Sequence, residues 1–412
     1  MIKYRKSALI LFGNIIAFLI VWSEVQAQSS EGYIYGRVTT YDNVYQGQMR
    51  WGKEEAFWND YFNASKINQK HYQHLIEEGK ESEFDWGDLN WALSSIWEDR
   101  VGYTTHQFSC QFGDIKTITD IGKSTFTLVL KNGEKLRLDG NYANDFGSTI
   151  IMNDEELGDI SVRWNRIKEI EFLPTPNSMR VYGGSPIYGT IETYRKGTYT
   201  GFIQWDHDER LGEDKLDGDQ QSRDISLPFR EIKSIEKQGG GSYVVCFDGK
   251  EYSLTNSNDV DEDNRGIIVS VPDVGKIDIP WKYFRTANLE KAPNSGPTYD
   301  SFEVPKGISG TVYTYENDQF SGQIVYDVDE TWEIETLDGN DDDVKYMIAF
   351  RNIRSIVPKN DDYSIVELKN GEKLLLGDSR DVNRSNDGMV VLTRNKEATY
   401  IPWRKIAEII LD

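Results

Sequence analysis

Clusters of carboxylates at matching places are the residues of this sequence most able to do chemistry. Two such clusters are "WDHDE" at 205–209 and "YDVDE" at 326–330. Because Ca²⁺ takes about six to eight oxygen ligands, these side chains could form a weak cation site. The candidate ligands are Asp206, Asp208, Glu209, Asp327, Asp329 and Glu330. A strand directs neighbouring side chains to opposite faces, so we favour the alternative that both clusters are solvated strand ends.

Other catalytic or metal-binding interpretations are less well supported. Glycoside hydrolysis needs two carboxyl groups at a fixed separation across a cleft, for example Asp206 and Asp208. No Ser or Cys has an evident activating base, so nucleophilic catalysis is not indicated. His71 and His74 are too few ligands for a zinc site, which favours a solvated helix face. The segment "DVDEDNRG" at 259–266 lacks the glycine and glutamate positions of a calcium loop, which indicates a turn.

The carboxylate clusters belong to a unit that occurs three times in the sequence. The copies begin with similar strand patterns: "GRVTTY" (36–41), "GTIETY" (189–194) and "GTVYTY" (310–315). Each continues to a Phe-x-x-Ile pattern, a hairpin glycine and a closing tryptophan. These are, in copy order, Phe112, Gly133 and Trp164, then Phe229, Gly249 and Trp281, then Phe350, Gly371 and Trp403. The spacings between them differ by at most one residue among the copies, which indicates tandem repeats of one fold.

Each copy also divides into two similar halves of alternating strands joined by Asn-Gly or Asp-Gly turns, which are hairpin signals. The segment "VELKNGEKLLLGDSRDVN" at 366–383 resembles the first sequence motif of the Sm-like family, and "FRNIRSI" at 350–356 is similar to its closing strand. This resemblance implies small Sm-like or SH3-like barrels of about five strands. We therefore predict a mainly β fold with three tandem repeats, each of two barrel halves.

The resemblance also implies RNA binding, which the charge of the chain argues against. The formal net charge is −22, and basic patches with interleaved aromatic residues are absent from the sequence. Such a surface repels nucleic acid and favours cations or basic partners. The two cysteines, Cys110 and Cys246, occupy predicted core positions and are interpreted as buried free thiols.

Composition also sets the predicted boundaries. Basic residues precede an apolar run that ends in "VQA" at 25–27, as in a secretory signal, and no other stretch is apolar enough to span a membrane. We expect export to the periplasm or the cell exterior. The predicted parts are a signal peptide at 1–27, repeat 1 at 31–172 with an insert at 56–107, a linker at 173–188, repeat 2 at 189–288, a linker at 289–307 and repeat 3 at 308–412.

The insert in repeat 1 is rich in aromatic residues and has a helical pattern around 88–97. Two interpretations remain open: a helical cap that packs on the neighbouring barrel, or a surface that binds a ligand. The candidate ligand-binding residues are Trp58, Trp86, Trp91 and Trp97 in the insert, together with Trp205 and Tyr326. Trp205 and Tyr326 share a repeated position with Trp51, which is also typical of a core residue.

These observations favour a non-catalytic exported protein that binds or scaffolds a protein or polysaccharide of the cell envelope. Two alternatives belong to other classes. One is a glycan-active hydrolase that uses Asp/Glu pairs, and the other is a Ca²⁺-dependent adhesion or surface component. The position of the insert relative to the carboxylates separates the binding protein from the hydrolase. Stabilisation by Ca²⁺ tests the adhesion or surface component.

Overall fold

The computed structural model describes residues 29–66, 107–140, 145–154, 156–393 and 398–412. Within these residues the fold is mainly antiparallel β, as predicted, and no helix there is long and apolar enough to cross a membrane. The predicted signal peptide, His71 and His74, most of the predicted insert and three candidate residues lie outside the described residues. Those three are Trp86, Trp91 and Trp97.

The first segment, residues 35–172, contains ten described strands. They are β1 (Tyr35–Thr40), β2 (Val44–Trp51), β3 (Tyr61–Lys66), β4 (Gln107–Gln111), β5 (Ile115–Thr119), β6 (Thr125–Leu130), β7 (Lys135–Asp139), β8 (Ile150–Asp154), β9 (Gly158–Val162) and β10 (Ile167–Phe172). They form one sheet in the order β4-β3-β7-β6-β5-β10-β1-β2-β8-β9.

The second segment, residues 188–289, contains another ten strands. They are β11 (Tyr188–Thr193), β12 (Thr198–Trp205), β13 (Lys215–Gln220), β14 (Arg223–Pro228), β15 (Ile232–Gln238), β16 (Gly241–Cys246), β17 (Glu251–Leu254), β18 (Ile267–Val271), β19 (Gly275–Ile279) and β20 (Phe284–Leu289). Strands β13 and β14 form a two-stranded sheet that is linked to the segment by a bridge between Asp219 and Thr255, and the remaining eight strands join a larger sheet.

The third segment, residues 309–411, contains ten more described strands. They are β21 (Ser309–Thr314), β22 (Gln319–Val325), β23 (Thr336–Asp341), β24 (Val344–Ala349), β25 (Ile353–Pro358), β26 (Tyr363–Leu368), β27 (Lys373–Gly377), β28 (Met389–Thr393), β29 (Ala398–Ile401) and β30 (Ile406–Leu411). The helices of the described residues are three-residue 3-10 turns: Phe112–Asp114, Trp164–Arg166, Phe229–Glu231, Tyr299–Ser301, Phe350–Asn352, Arg380–Val382 and Trp403–Lys405.

Most strand pairs occupy corresponding places in the three segments. In the first, β1 pairs with β2 and β10, β2 with β8, β8 with β9, β5 with β6 and β10, and β6 with β7. The second and third segments contain the corresponding pairs, and these are antiparallel as in the first segment. The hairpin glycines lie in the turns β6–β7, β16–β17 and β26–β27 with φ values of 91°, 84° and 92°.

Glycine is required where the first two strands of a segment pair with each other and each also lies against a further strand. Gly36 pairs with Gly47 in the first segment, and the other segments contain the pairs Gly189–Gly201 and Gly310–Gly322. A Cβ added to Gly47 would lie 1.9 Å from the carbonyl oxygen of Asn153 in β8. Such a contact is sterically forbidden, so the second glycine of each copy allows a close approach of two backbones.

An aromatic cluster fills the core of each segment. In the second segment the ring of Trp205 lies 6.0 Å from Phe229 and 6.0 Å from Trp281, measured between ring centroids. The corresponding sets are Trp51, Phe112 and Trp164 in the first segment and Tyr326, Phe350 and Trp403 in the third. All nine side chains are buried. Trp205 and Tyr326 are therefore core residues, and the hypothesis that they form a ligand surface is wrong.

The predicted insert interrupts one hairpin. Strand β3 pairs with β4 as far as Ser65 and Gln107, whereas the corresponding hairpins close at Gln220–Arg223 and Asp341–Val344. Residues 56–66 belong to the β architecture, so the additional residues of the first copy lie within 67–106, a narrower range than predicted. Both cysteines are buried free thiols, as predicted.

Candidate functional site

A tight turn carries the acidic clusters. The turn closes with a bridge between Trp205 and Glu209, and the matching bridges join Trp51 to Glu55 and Tyr326 to Glu330. Asp206 and Asp327 adopt left-handed φ values of 46° and 48° within these turns. Asp206 is fully buried, and Asp327, Asp329 and Glu330 are at most 7% exposed. The interpretation as a solvated strand end is therefore wrong for the third segment and for Asp206, since the chain turns these side chains back into the segment, whereas Asp208 and Glu209 are partly exposed.

Each turn places a glutamate beside an aspartate from the loop before the eighth strand of its segment. In the second segment, Glu209 and Asp259 have carboxylate oxygens within 4.8 Å of each other. The backbone N–H of Asp217 donates to Asp259 Oδ2 at 2.7 Å, and Trp205 Nε1 donates to the Asp259 carbonyl at 2.8 Å. The equivalent Glu–Asp pairs, here called the carboxyl pairs, are Glu55–Asp145 and Glu330–Asp381.

Burial raises the pKa of both members of each carboxyl pair. In the second segment, burial and the nearby aspartates raise the pKa of Glu209 to about 9, and mainly burial raises the pKa of Asp259 to about 6. Burial likewise raises the pKa of Asp145 and of Asp381 to about 7, and those of Glu55 and Glu330 well above their usual range. Each pair therefore carries a proton at neutral pH.

The carboxyl pairs predict that stability falls as the pH rises. A carboxyl group whose pKa is raised by folding contributes full stability below its unfolded pKa and loses it as the pH rises through its folded pKa. We expect the thermal midpoint to fall by several degrees between about pH 5 and about pH 9. Glu209→Gln, which stays neutral, should flatten this dependence. Glu290→Gln, at an exposed position, should leave the slope unchanged. An identical slope in Glu209→Gln would contradict the prediction.

The arginines beside the turns already neutralise some of the predicted cation ligands. Arg265 donates its backbone N–H to Asp206 Oδ1 at 2.6 Å, and its guanidinium contacts Asp206 and Asp208 at 3.1 and 2.6 Å. Arg380 contacts Asp327 at 2.6 Å in the third segment. The structure thus gives Asp206, Asp208 and Asp327 cationic partners from the protein itself.

The carboxylates that do converge are Asp206, Glu209 and Asp259, with ligand oxygens within 4.8 Å of one another. Glu54, Glu55 and Asp145 converge in the same way in the first segment. Of the six residues predicted from sequence, only two belong to these groups. Ca²⁺ binding stays a prediction, and a raised thermal midpoint in millimolar Ca²⁺ is the measurement that tests it.

Buried ion pairs join the three segments. Arg210 of the second segment is 1% exposed and lies 2.9 Å from Asp60 Oδ1 of the first. Asp60 Oδ2 also accepts the backbone N–H groups of Ala56 and Phe57, each at 2.8 Å. Asp214 and Glu335 accept pairs of backbone N–H groups in the same way, and they contact Arg50 and Lys66 of the first segment.

A cavity of about 690 Å³ lies where the three segments meet. We call it the junction cavity. Its wall includes Tyr61 and Gln111 from the first segment, Phe202 from the second and Arg351 from the third. Part of the linker before the third segment, including Phe302, completes the wall. The junction cavity is thus built from parts that are far apart in sequence.

The polar wall of the junction cavity is held rigidly. Arg351 donates to both oxygens of Asp114, at 2.8 and 3.0 Å, and also to Gln111. Asp114 is fully buried, so this forked contact fixes the guanidinium of the third segment against the first. Lys306, Lys369, Glu333 and Asp273 add charges of both signs to the wall. The arrangement suits a polar ligand that both donates and accepts hydrogen bonds.

Trp58 supports the junction from the inside. It is fully buried, its Nε1 donates to Thr175 Oγ1 at 3.0 Å, and its ring lies 4.6 Å from the ring of Tyr299 in the linker. This candidate ligand-binding residue is therefore structural.

No protein-family model matches the chain, and no curated protein or solved structure is significantly similar to it. We therefore infer the function from the geometry of the described residues. Asp206 is buried and accepts three hydrogen bonds, so the pair Asp206–Asp208 does not flank an open cleft as a glycosidase needs.

Sequence reasoning missed the junction cavity and the carboxyl pairs. The sequence does indicate the glutamate of each pair, because Glu55, Glu209 and Glu330 each lie four residues after the repeated aromatic position. A second acid follows each of these glutamates by five residues, at Asp60, Asp214 and Glu335. The cavity has no such signal, since its residues come from non-equivalent places in the three segments.

Proposed function

We propose that this protein is an exported, non-catalytic binding protein built from three copies of one unit, each of two small barrel halves. The three copies surround the junction cavity, and the ligand binds there. The preferred ligand is a glycan of the cell envelope, and a protein segment is the alternative. The observation that carries the proposal is a cavity of about 690 Å³ to which all three segments contribute.

Several properties of the cavity support a glycan. Tyr61, Phe302 and Phe350 lie in its wall beside amides and charged groups. Sugars present apolar ring faces and many hydroxyl groups, so they are recognised by such a combination of aromatic and hydrogen-bonding side chains. A nucleic acid is disfavoured, because the chain carries a net charge of −22.

Corresponding strand pairs support the proposed repeat. The pairs of the first five-strand set (β1, β2, β8, β9 and β10) recur in all three segments, and β5, β6 and β7 complete a second set with β10. The two sets share β10, which we propose as the common wall of the two barrel halves.

The ligand hypothesis can be tested by calorimetric titration of the full chain with soluble muropeptides and with neutral envelope oligosaccharides. We expect saturable binding of one of these probes, and loss of that binding in Ser301→Trp, which places a large ring at the cavity wall. Ser385→Trp, at an exposed serine outside the wall, is the matched control. Absence of heat with every glycan probe would overturn the glycan proposal, and unchanged binding in Ser301→Trp would place the site elsewhere.

A further inference from the structure

A buried lysine from the first segment lies between two carboxylates of the third. Lys66 ends β3 and is 4% exposed. Its Nζ lies 2.9 Å from Asp329 Oδ1 and 2.5 Å from Glu335 Oε2, and it donates to the Asp329 carbonyl at 3.0 Å. An amine and a carboxyl group are thus held in contact where water has little access.

A second acid is available beside this contact. Glu330 is 7% exposed, and its Oε2 is buried with no hydrogen-bond partner among the described residues. Burial and the charge of Asp329 raise the pKa of Glu330 well above its usual range, which favours the protonated form of this group. A carboxyl group that has one oxygen without a hydrogen-bond partner and lies next to a carboxylate can donate a proton to a neighbouring group.

The base is oriented by the backbone. Glu335 Oε1 accepts the backbone N–H groups of Thr331 and Trp332, at 2.8 and 3.0 Å. These two hydrogen bonds fix the carboxylate so that its other oxygen faces Lys66 Nζ. The cluster therefore contains an amine, an acceptor carboxyl group, a base and an acid.

We propose that Lys66 and Asp329 form an intramolecular isopeptide bond after the chain folds. The new bond joins Lys66 Nζ to Asp329 Cγ, and one water molecule is released. Positioning of the two reacting groups in contact replaces an encounter between separate molecules, which is among the largest rate effects available to a protein. A buried neutral amide also avoids the desolvation cost of a buried ion pair.

The reaction balances without an external reagent. The Lys66 ammonium first gives one proton to Glu335, and the lone pair of the resulting amine then attacks Asp329 Cγ. Glu330 protonates the departing oxygen, and Glu335 passes the first lysine proton on to Glu330. Glu335 then takes the second proton from the nitrogen and delivers it to the departing oxygen, which leaves as water. Overall, an ammonium and a carboxylate become an amide and water, with no change in net charge or oxidation state.

Deprotonation of the lysine is the demanding step. Burial lowers the pKa of Lys66, while the carboxylates of Asp329 and Glu335 raise it and prevail. The direct contact with Glu335 therefore matters, because the base must remove the proton within the cluster. The other buried pairs between segments, Arg210–Asp60 and Arg351–Asp114, use arginine, whose guanidinium stays protonated and does not attack a carboxyl group.

Mass spectrometry of the full purified chain tests the proposal. We expect the wild-type mass to lie one water below the mass calculated for its own processed sequence, and a digest to contain one branched peptide joining Lys66 to Asp329. In Lys66→Arg, which retains the charge, the measured mass should equal the mass calculated from the variant's own sequence, with no water missing. Glu335→Gln, which removes the base, should restore it as well.

The matched control is Lys196→Arg, since Lys196 forms an ion pair with Asp341, which is 47% exposed in its side chain. This variant should keep the branched peptide and the missing water. Separate linear peptides containing Lys66 and Asp329 in the wild-type digest, with a full-length mass equal to the sequence, would show an ordinary ion pair and overturn the proposal. Because this readout uses the wild-type protein, it holds even if a variant fails to fold.

Discussion

Replacing Arg210 with alanine is expected to lower the free energy of unfolding by about 3–5 kcal/mol. The guanidinium is 1% exposed, it lies 2.9 Å from Asp60, and it also donates to the carbonyl of Ile203 at 3.2 Å. Its removal leaves the Asp60 carboxylate buried without its cation, and the remaining charge carries an uncompensated desolvation cost. Urea denaturation followed by tryptophan fluorescence measures the change.

Arg230→Ala is the matched control for this experiment. Arg230 belongs to the same segment and pairs with Glu213, but both side chains are about half exposed, at 49% and 50%. An exposed pair of this kind contributes about 0–1 kcal/mol. Equal losses for the two alanine variants would contradict the view that burial of the charge, rather than the presence of an ion pair, makes Arg210 important.

Replacing Trp58 with alanine is expected to cost about 3–5 kcal/mol, since it removes a fully buried ring. The same change leaves Thr175 without its donor and removes the ring on which Tyr299 packs. Because Tyr299 lies in the linker before the third segment, the contact between the first and third segments should loosen as well. Thermal unfolding and limited proteolysis of the linker at 289–307 measure both effects.

Tyr315→Ala provides the comparison, because Tyr315 is 65% exposed. Its loss should change the thermal midpoint little. If Trp58→Ala unfolds at the wild-type temperature and the linker stays resistant to protease, then the ring does not support the junction as we describe.

The β character of the fold could be predicted because its signals are local. Alternation in "GTVYTY" at 310–315 corresponds to β21, and the Asn-Gly turn at Gly371 joins β26 to β27. Trp164, Trp281 and Trp403, which close the three copies in sequence, are all buried. In each case a few neighbouring residues determine the outcome.

The sites could not be predicted in the same way because they depend on distant contacts. Glu209 and Asp259 are 50 residues apart in sequence, and only the pairing of β12 with β18 brings their carboxyl groups together. In sequence, the acidic turn resembles the end of a strand. The pattern of hydrophobic residues indicates neither the bridge that closes the turn nor the left-handed conformation of Asp206. Lys66 and Asp329 are still more distant, and belong to different segments.

The segments are joined in two chemically different ways. Strand β19 of the second segment pairs with β24 of the third through Lys276–Asp278 and Lys345–Met347, which makes one continuous sheet. The first segment has its own sheet and meets the others through side chains such as Asp60 and Asp114. Backbone pairing is nearly independent of residue identity, whereas charge pairing requires a matching partner. The ion pairs Lys196–Asp341 and Lys282–Asp343 add to the backbone join between the second and third segments, but both include exposed side chains. Substitutions at that join would therefore be tolerated more readily than changes to the buried charges that hold the first segment.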